Sequence, residues 1–180
     1  MKKTIMLSMM TIAFISISFA LMAQTTNKEE DLIRNVVKTV ESGWMEKSGE
    51  KYASSFAEVH DFIVWNGYYF PNTTRQATAA GHQGLFNSVF KNRDIKLKVD
   101  KIKFIRTDIA LVHILGAMYE KGKTIPENPG VIMTMLMEKK DGAWQIISFQ
   151  NLDLEGFQDK EIAANSPMPL NIMYAGWYKK

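Results

Sequence analysis

Leu32, Ile33, Val36, Val37, Val40 and Trp44 recur at helical spacing, so the first element of the polar-flanked part of the chain is predicted as an amphipathic helix. Asn27 can cap it, Glu30 stands three residues on, and Glu29 to Asp31 put negative charge at the positive end of the helix dipole. Ser48-Gly49 stops it, and a short second helix is expected through Tyr52, Ala53 and Phe56.

From Val59 the period changes. Phe62-Ile63-Val64-Trp65 reads as a strand, Asn66-Gly67 as a hairpin turn, and Tyr68-Tyr69-Phe70 as the returning strand, which Pro71 should end. Thr73 with Gln76 forms a capping box for a further helix, on one face of which fall Thr78, His82, Leu85, Phe86 and Val89. Ile95, Leu97 and Val99 then alternate with lysines, and Ile102 and Phe104 continue in the opposite phase, so a bulge is expected near Asp100 and Lys101. Ile109 to Tyr119, Val131 to Met137 and Trp144 to Leu152 complete the strands, with Asp141-Gly142 turning the last pair and a Lys/Gly/Pro-rich loop at Lys121 to Pro129.

The order is helix, helix, hairpin, helix, then four long antiparallel strands. Helices gathered on one face of a curved, bulged sheet make an α+β fold, a cone with one internal cavity. Residues 24–153 hold this domain, and 154–180, with Pro167, Pro169 and Tyr174-Ala175-Gly176-Trp177-Tyr178, form a C-terminal extension. Its aromatic content argues against free disorder; it covers the pocket mouth, pairs with another subunit, or stays loose.

Composition changes this picture at the N-terminus. Lys2 and Lys3 precede an uncharged apolar run, Ile5 to Met22, which reads as an export signal over residues 1–23, cleaved after Ala20 or Ala23; an uncleaved anchor is the alternative. The expected location is the periplasm or the medium, without stable membrane association after cleavage. With no cysteine the chain is not a lipoprotein and forms no disulfide. Two of the lysines belong to the leader, so the formal charge falls from +3 to +1 without it, too little for a nucleic-acid role.

The blocks His60-Asp61-Phe62-Ile63-Val64-Trp65-Asn66-Gly67, Gly81-His82-Gln83-Gly84-Leu85-Phe86, Asp108-Ile109-Ala110-Leu111-Val112-His113 and Trp144-Gln145-Ile146-Ile147-Ser148-Phe149-Gln150-Asn151 occur in that order. They resemble the SgcJ/EcaC-type family of the NTF2-like (SnoaL-like) superfamily over about residues 30–153. The resemblance implies the NTF2-like cone, a curved antiparallel sheet wrapped around N-terminal helices. It does not imply one chemistry, because the superfamily includes steroid isomerases, polyketide cyclases, dehydratases and plain binding modules. Where the family often has a glycine after the second hairpin strand, this chain has Pro71-Asn72.

His82 and Asp61 are the candidate proton carriers. His82 shares its helix face with Leu85, Phe86 and Val89, so it is either a neutral base or ligand contact, or a satisfied core histidine. Asp61 shares strand parity with Trp65 and is either a base in an apolar setting or an edge carboxylate bonded to an amide. Trp65, Tyr68 and Tyr69 flank the hairpin turn and could wall a pocket, with tyrosine hydroxyls as donors; cross-strand packing is the other reading. Gln150 and Asn151 end the last strand, and Asn151, in phase with Ile147 and Phe149, enters the pocket if that face lines it. His113 reads as structural or as part of a subunit-packing face.

No metal is expected, because no close histidine pair or thiolate is present, and no cofactor, because there is no Gly-rich phosphate loop or dinucleotide fingerprint. Two functions stay open. One is a pocket for a small hydrophobic organic ligand, with or without isomerase- or dehydratase-like acid–base chemistry. The other is a binding or assembly module that dimerises through its sheet face, suggested by the near-continuous apolar run Ile109 to Met118.

Overall fold

The computed structural model describes residues 27–154, 172 and 174–179. The expected leader, residues 1–23, lies outside the described residues, as does most of the C-terminal extension. The chain divides into two compact units, 1–34 and 35–180, and the first helix, α1 (27–45), runs from one into the other. In the first unit residues 27–34 are helical, with Arg34 and Glu30 paired one turn apart at 3.4 Å. Everything that follows concerns the second unit.

Val37, Val40 and Trp44 carry the apolar stripe of α1 into the core. The helix ends in a turn at Glu46 and Lys47, and Ser48 caps α2 (Gly49–Ala53) by accepting from the Lys51 amide at 3.1 Å. Strands β1 (Phe56–Ile63) and β2 (Tyr69–Thr74) form the hairpin, α3 (Arg75–Asn87) follows, and β3 (Arg93–Arg106), β4 (Ile109–Glu120), β5 (Val131–Lys140) and β6 (Ala143–Asp153) complete a six-stranded sheet of order β2-β1-β6-β5-β4-β3. The class is α+β, as expected. Neighbouring strands are antiparallel except β1 and β6, which run parallel, so the sheet is mixed where an antiparallel one was expected.

Several local expectations hold. Asp141 and Gly142 both take positive φ, 51° and 83°, and join β5 to β6 as a two-residue turn with Lys140 opposite Ala143. The register of β3 against β4 shifts between Val99 and Lys101, where the phase of the lysines changes, and that bulge bends the strand.

Three others are corrected. The first hairpin does not turn on Asn66-Gly67 alone. The Gly67 amide donates to the Val64 carbonyl and the Val64 amide to the Tyr68 carbonyl, so Trp65, Asn66 and Gly67 form a longer loop in which only Gly67 has positive φ, 88°. Pro71 does not end β2, because β2 is an edge strand and its outer face asks for no donor; the strand bulges opposite Asp61 and runs on to Thr74. Thr74, not Thr73, caps α3, accepting from the Ala77 amide at 3.1 Å.

The other edge strand, β3, is covered by the end of α1. Glu41 accepts from the Leu97 amide at 2.6 Å and pairs with Lys96 at 3.1 Å, while the Trp44 indole donates to the Arg93 carbonyl at 2.9 Å and the Lys47 ammonium donates to the same carbonyl. Backbone groups that an open edge would leave to water or to another chain are thereby occupied. These bonds fix the helix over one face of the sheet and so set the height of the cavity beneath it.

Candidate functional site

A cavity of about 280 Å³ lies between the helices and one sheet face. Alternation along the strands decides which residues reach it. Ile95 pairs with Met118 and Leu97 with Gly116 across β3 and β4, Val131 pairs with Gly116 across β4 and β5, and Met133 pairs with Asn151 across β5 and β6. Paired residues share a face, and Ile95, Leu97, Met118, Val131, Met133, Phe149 and Asn151 all line the cavity. From the helical side come Val40 and Trp44 of α1, Tyr52 of α2, and His82 and Leu85 of α3; Phe62 and Val64 of β1 and Trp65 and Asn66 of the hairpin loop close the remaining wall. Among the described residues no Asp, Glu, Lys or Arg lines it.

His82 is held in one tautomer. Its Nδ1 lies 2.9 Å from the Thr78 carbonyl, one turn earlier on α3, and a carbonyl can only accept, so Nδ1 carries the proton and donates it. Nε2 is left with a lone pair and no partner among the described residues. The ring stacks on Tyr52 with centroids 3.9 Å apart and meets the edge of Phe62 at 5.7 Å. Burial among these rings, against a smaller opposing effect of the Thr78 bond, lowers the imidazole pKa from the usual 6.5 to about 4. At neutral pH His82 is an uncharged acceptor.

Thr78 carries a second histidine. Its hydroxyl lies 2.9 Å from His60 Nε2, while His60 Nδ1 donates to the Ala57 carbonyl at 3.0 Å, so the hydroxyl is the donor of that pair. His60 is buried, and burial is the main cause that holds its pKa below the ordinary value. Thr78 thus ties α3 to β1 and orients His82 from behind.

Asn151 lines the cavity as its parity with Phe149 indicated, and its Oδ1 is buried with no hydrogen-bond partner among the described residues. An unpaired buried acceptor costs about 1–3 kcal/mol. Tyr52, which the sequence suggested only as part of a short helix, also lines the cavity; burial pushes its phenol pKa well up, so it stays protonated.

The other candidates fall elsewhere. Asp61 does not line the cavity, because His60, Phe62 and Val64 alternate toward the interior and Asp61 points to the other side, where its carboxylate accepts from the Asn72 amide at 2.9 Å. The expected convergence of Asp61 on His82 is therefore not made. Trp65 does reach the cavity, but from the loop and not through shared strand parity with Asp61. Tyr68 and Tyr69 are exposed at 65% and 55% and lie outside the lining; Tyr68 stacks on Phe70 at 6.5 Å. Gln150 is exposed on the opposite sheet face, paired with Thr134. His113 is on that same face, 3.3 Å from the Thr134 hydroxyl. Among the described residues no group of three or more His, Asp or Glu side chains is placed to hold a metal ion.

No family model and no curated protein matches the chain. Solved structures do. A domain of unknown function with a cystatin-like fold from Nostoc punctiforme is 27% identical, with a TM-score of 0.65 over 77% of this chain and 87% of that one. An NTF-2 like protein of unknown function from Shewanella oneidensis is 21% identical, with a TM-score of 0.58 over 69% of this chain and 99% of that one. A ketosteroid isomerase-like protein from Erwinia carotovora atroseptica is 13% identical, with a TM-score of 0.55 over 71% and 98% of the two chains. Together with the curved six-stranded sheet and its enclosed cavity, these likenesses give the chain the NTF2-like, cystatin-like α+β fold.

Proposed function

We propose that this chain is an exported binding protein for a small, largely apolar organic molecule, taken up in the cavity under α1 and α3. The observation that carries the reading is the cavity itself: about 280 Å³, near the lower end of ligand pockets, walled by apolar and aromatic side chains, with His82 and Asn151 in its lining, whose Nε2 and Oδ1 have no hydrogen-bond partner among the described residues. Export to the periplasm or medium is supported by Lys2, Lys3 and the apolar run after them, and membership of the SgcJ/EcaC-type group by the four blocks between His60 and Asn151. A homodimer through the face that carries His113, Thr134 and Leu136 is supported by the half-buried apolar character of that face.

Native mass spectrometry of freshly isolated protein should reveal a bound molecule that is lost when Met133→Trp fills the cavity. An apo mass alone, together with no response of the melting temperature to a library of small apolar compounds, would overturn the reading. Cell fractionation and sedimentation test export and the dimer separately.

Acid–base turnover, isomerisation or dehydration without a cofactor, is a second reading, favoured by the unpaired lone pair of His82 beside an apolar cavity and by the likeness to a ketosteroid isomerase-like protein. Binding is preferred, because an imidazole with a pKa of about 4 is a weak base at neutral pH and Asp61 is not beside it.

A further inference from the structure

The polar atoms of the cavity select among apolar molecules, and this inference rests on the binding function proposed above. His82 Nε2 can only accept, since Nδ1 spends its proton on the Thr78 carbonyl. Asn151 adds a polar amide to the lining, its Oδ1 buried with no partner among the described residues. Both residues line the cavity, and among the described residues no cationic side chain lines it with them, so an anionic ligand would be desolvated without a counter-charge. A cationic ligand fares no better, because among the described residues no carboxylate lines the cavity. Trp44, Tyr52, Phe62, Phe90 and Phe149 present rings to the same space, a setting that favours an aromatic body.

We propose that the natural ligand is a neutral phenol or aryl alcohol of one or two rings, its hydroxyl donating its single proton to His82 Nε2 while its ring lies among the aromatic side chains. A ketone or an ether of the same shape can accept from the Tyr52 hydroxyl or the Asn151 amide, but it has no proton to give and leaves His82 Nε2 unpaired. A carboxylate brings a charge that the cavity cannot match.

Calorimetric titration of the full-length mature protein at pH 7 with 4-propylphenol, 4-propylanisole and 4-propylbenzoate tests this. The phenol should bind about tenfold more tightly than its methyl ether, the difference expected for pairing one acceptor that otherwise stays unmade, and the benzoate should bind most weakly. In His82→Phe, which keeps an aromatic ring beside Tyr52, the ether should bind as in the parent while the advantage of the phenol shrinks severalfold. Ether and phenol binding equally in the parent, or the benzoate binding best, would overturn the donor requirement and leave the pocket reading intact. Absence of binding by all three compounds would overturn both.

Discussion

At the scale of single residues, His82 is tuned by where it sits more than by what it touches. Its single bond to the Thr78 carbonyl favours the protonated ring, yet burial against Tyr52, Phe62 and Phe86 outweighs that and holds the folded-state pKa near 4. Among the described residues the titratable group packed on the ring is the Tyr52 phenol, which burial keeps neutral. The sign for stability follows. Between pH 6.5 and about 4 the unfolded chain binds a proton that folded His82 refuses, so the contribution of the neutral ring is complete above pH 6.5 and lost as pH falls through that window. The full loss is about 3 kcal/mol. Buried His60, shifted in the same direction, adds to it. Urea midpoints measured at pH 7 and pH 4.5 should therefore fall more steeply in the parent than in His82→Phe. Equal slopes in the two proteins would show that the ring is not held neutral.

At the scale of elements, what the sequence revealed and what it hid divide along one physical line. Features set by neighbours in sequence were readable: the Asp141-Gly142 turn, the phase change of β3 at Val99 and Lys101, the stripe Val37, Val40 and Trp44, and the parity that brings Asn151 in beside Phe149. Features set by neighbours in space were not. Pro71 fits within β2 because β2 is an edge, a fact of sheet order. Trp65 faces the cavity because the loop breaks the alternation that assigned it to the side of Asp61. Tyr52 became a wall because α1 and α2 approach closely. At Gly43 an added Cβ would lie 2.3 Å from the Tyr52 backbone nitrogen and 2.5 Å from its Cα, far inside contact distance. Gly43→Ala must push α2 away, so a loss of about 2 kcal/mol or more in thermal or urea unfolding is expected. Because Tyr52 stacks on His82, the same variant should also bind cavity ligands several times more weakly. Wild-type affinity in a destabilised Gly43→Ala would detach Tyr52 from the site.

At the scale of the whole sheet, its two faces are covered differently, and Trp177 packs on the second. Trp177 is buried at 2% exposure against Leu115 and Ala117 of β4, with Ile125, Ile132, Tyr174 and Tyr178 packed around them. Leu115 and Ala117 alternate with Gly116 and Met118, so this cluster stands back to back with the cavity wall. The segment that the sequence left as a lid, a subunit contact or a loose tail is thus, at Trp177, a cover on the face opposite the pocket. It also occupies part of the face proposed for dimerisation, which leaves the portion around His113 and Thr134 for a second copy. Trp177→Ala should lower stability by about 2 kcal/mol, the scale of burying one large apolar side chain. Trp177→Phe should cost less than half as much, because it keeps a ring while removing an indole N–H that is buried without an acceptor. Neither variant should change affinity for a cavity ligand, since strand alternation keeps both outside the lining. Thermal melts with and without a bound ligand check this: the two variants should melt lower than the parent, yet gain the same number of degrees from a saturating ligand. A ligand-induced gain that collapses in Trp177→Ala would mean that the two faces are coupled through β4 and that the cover helps to shape the pocket.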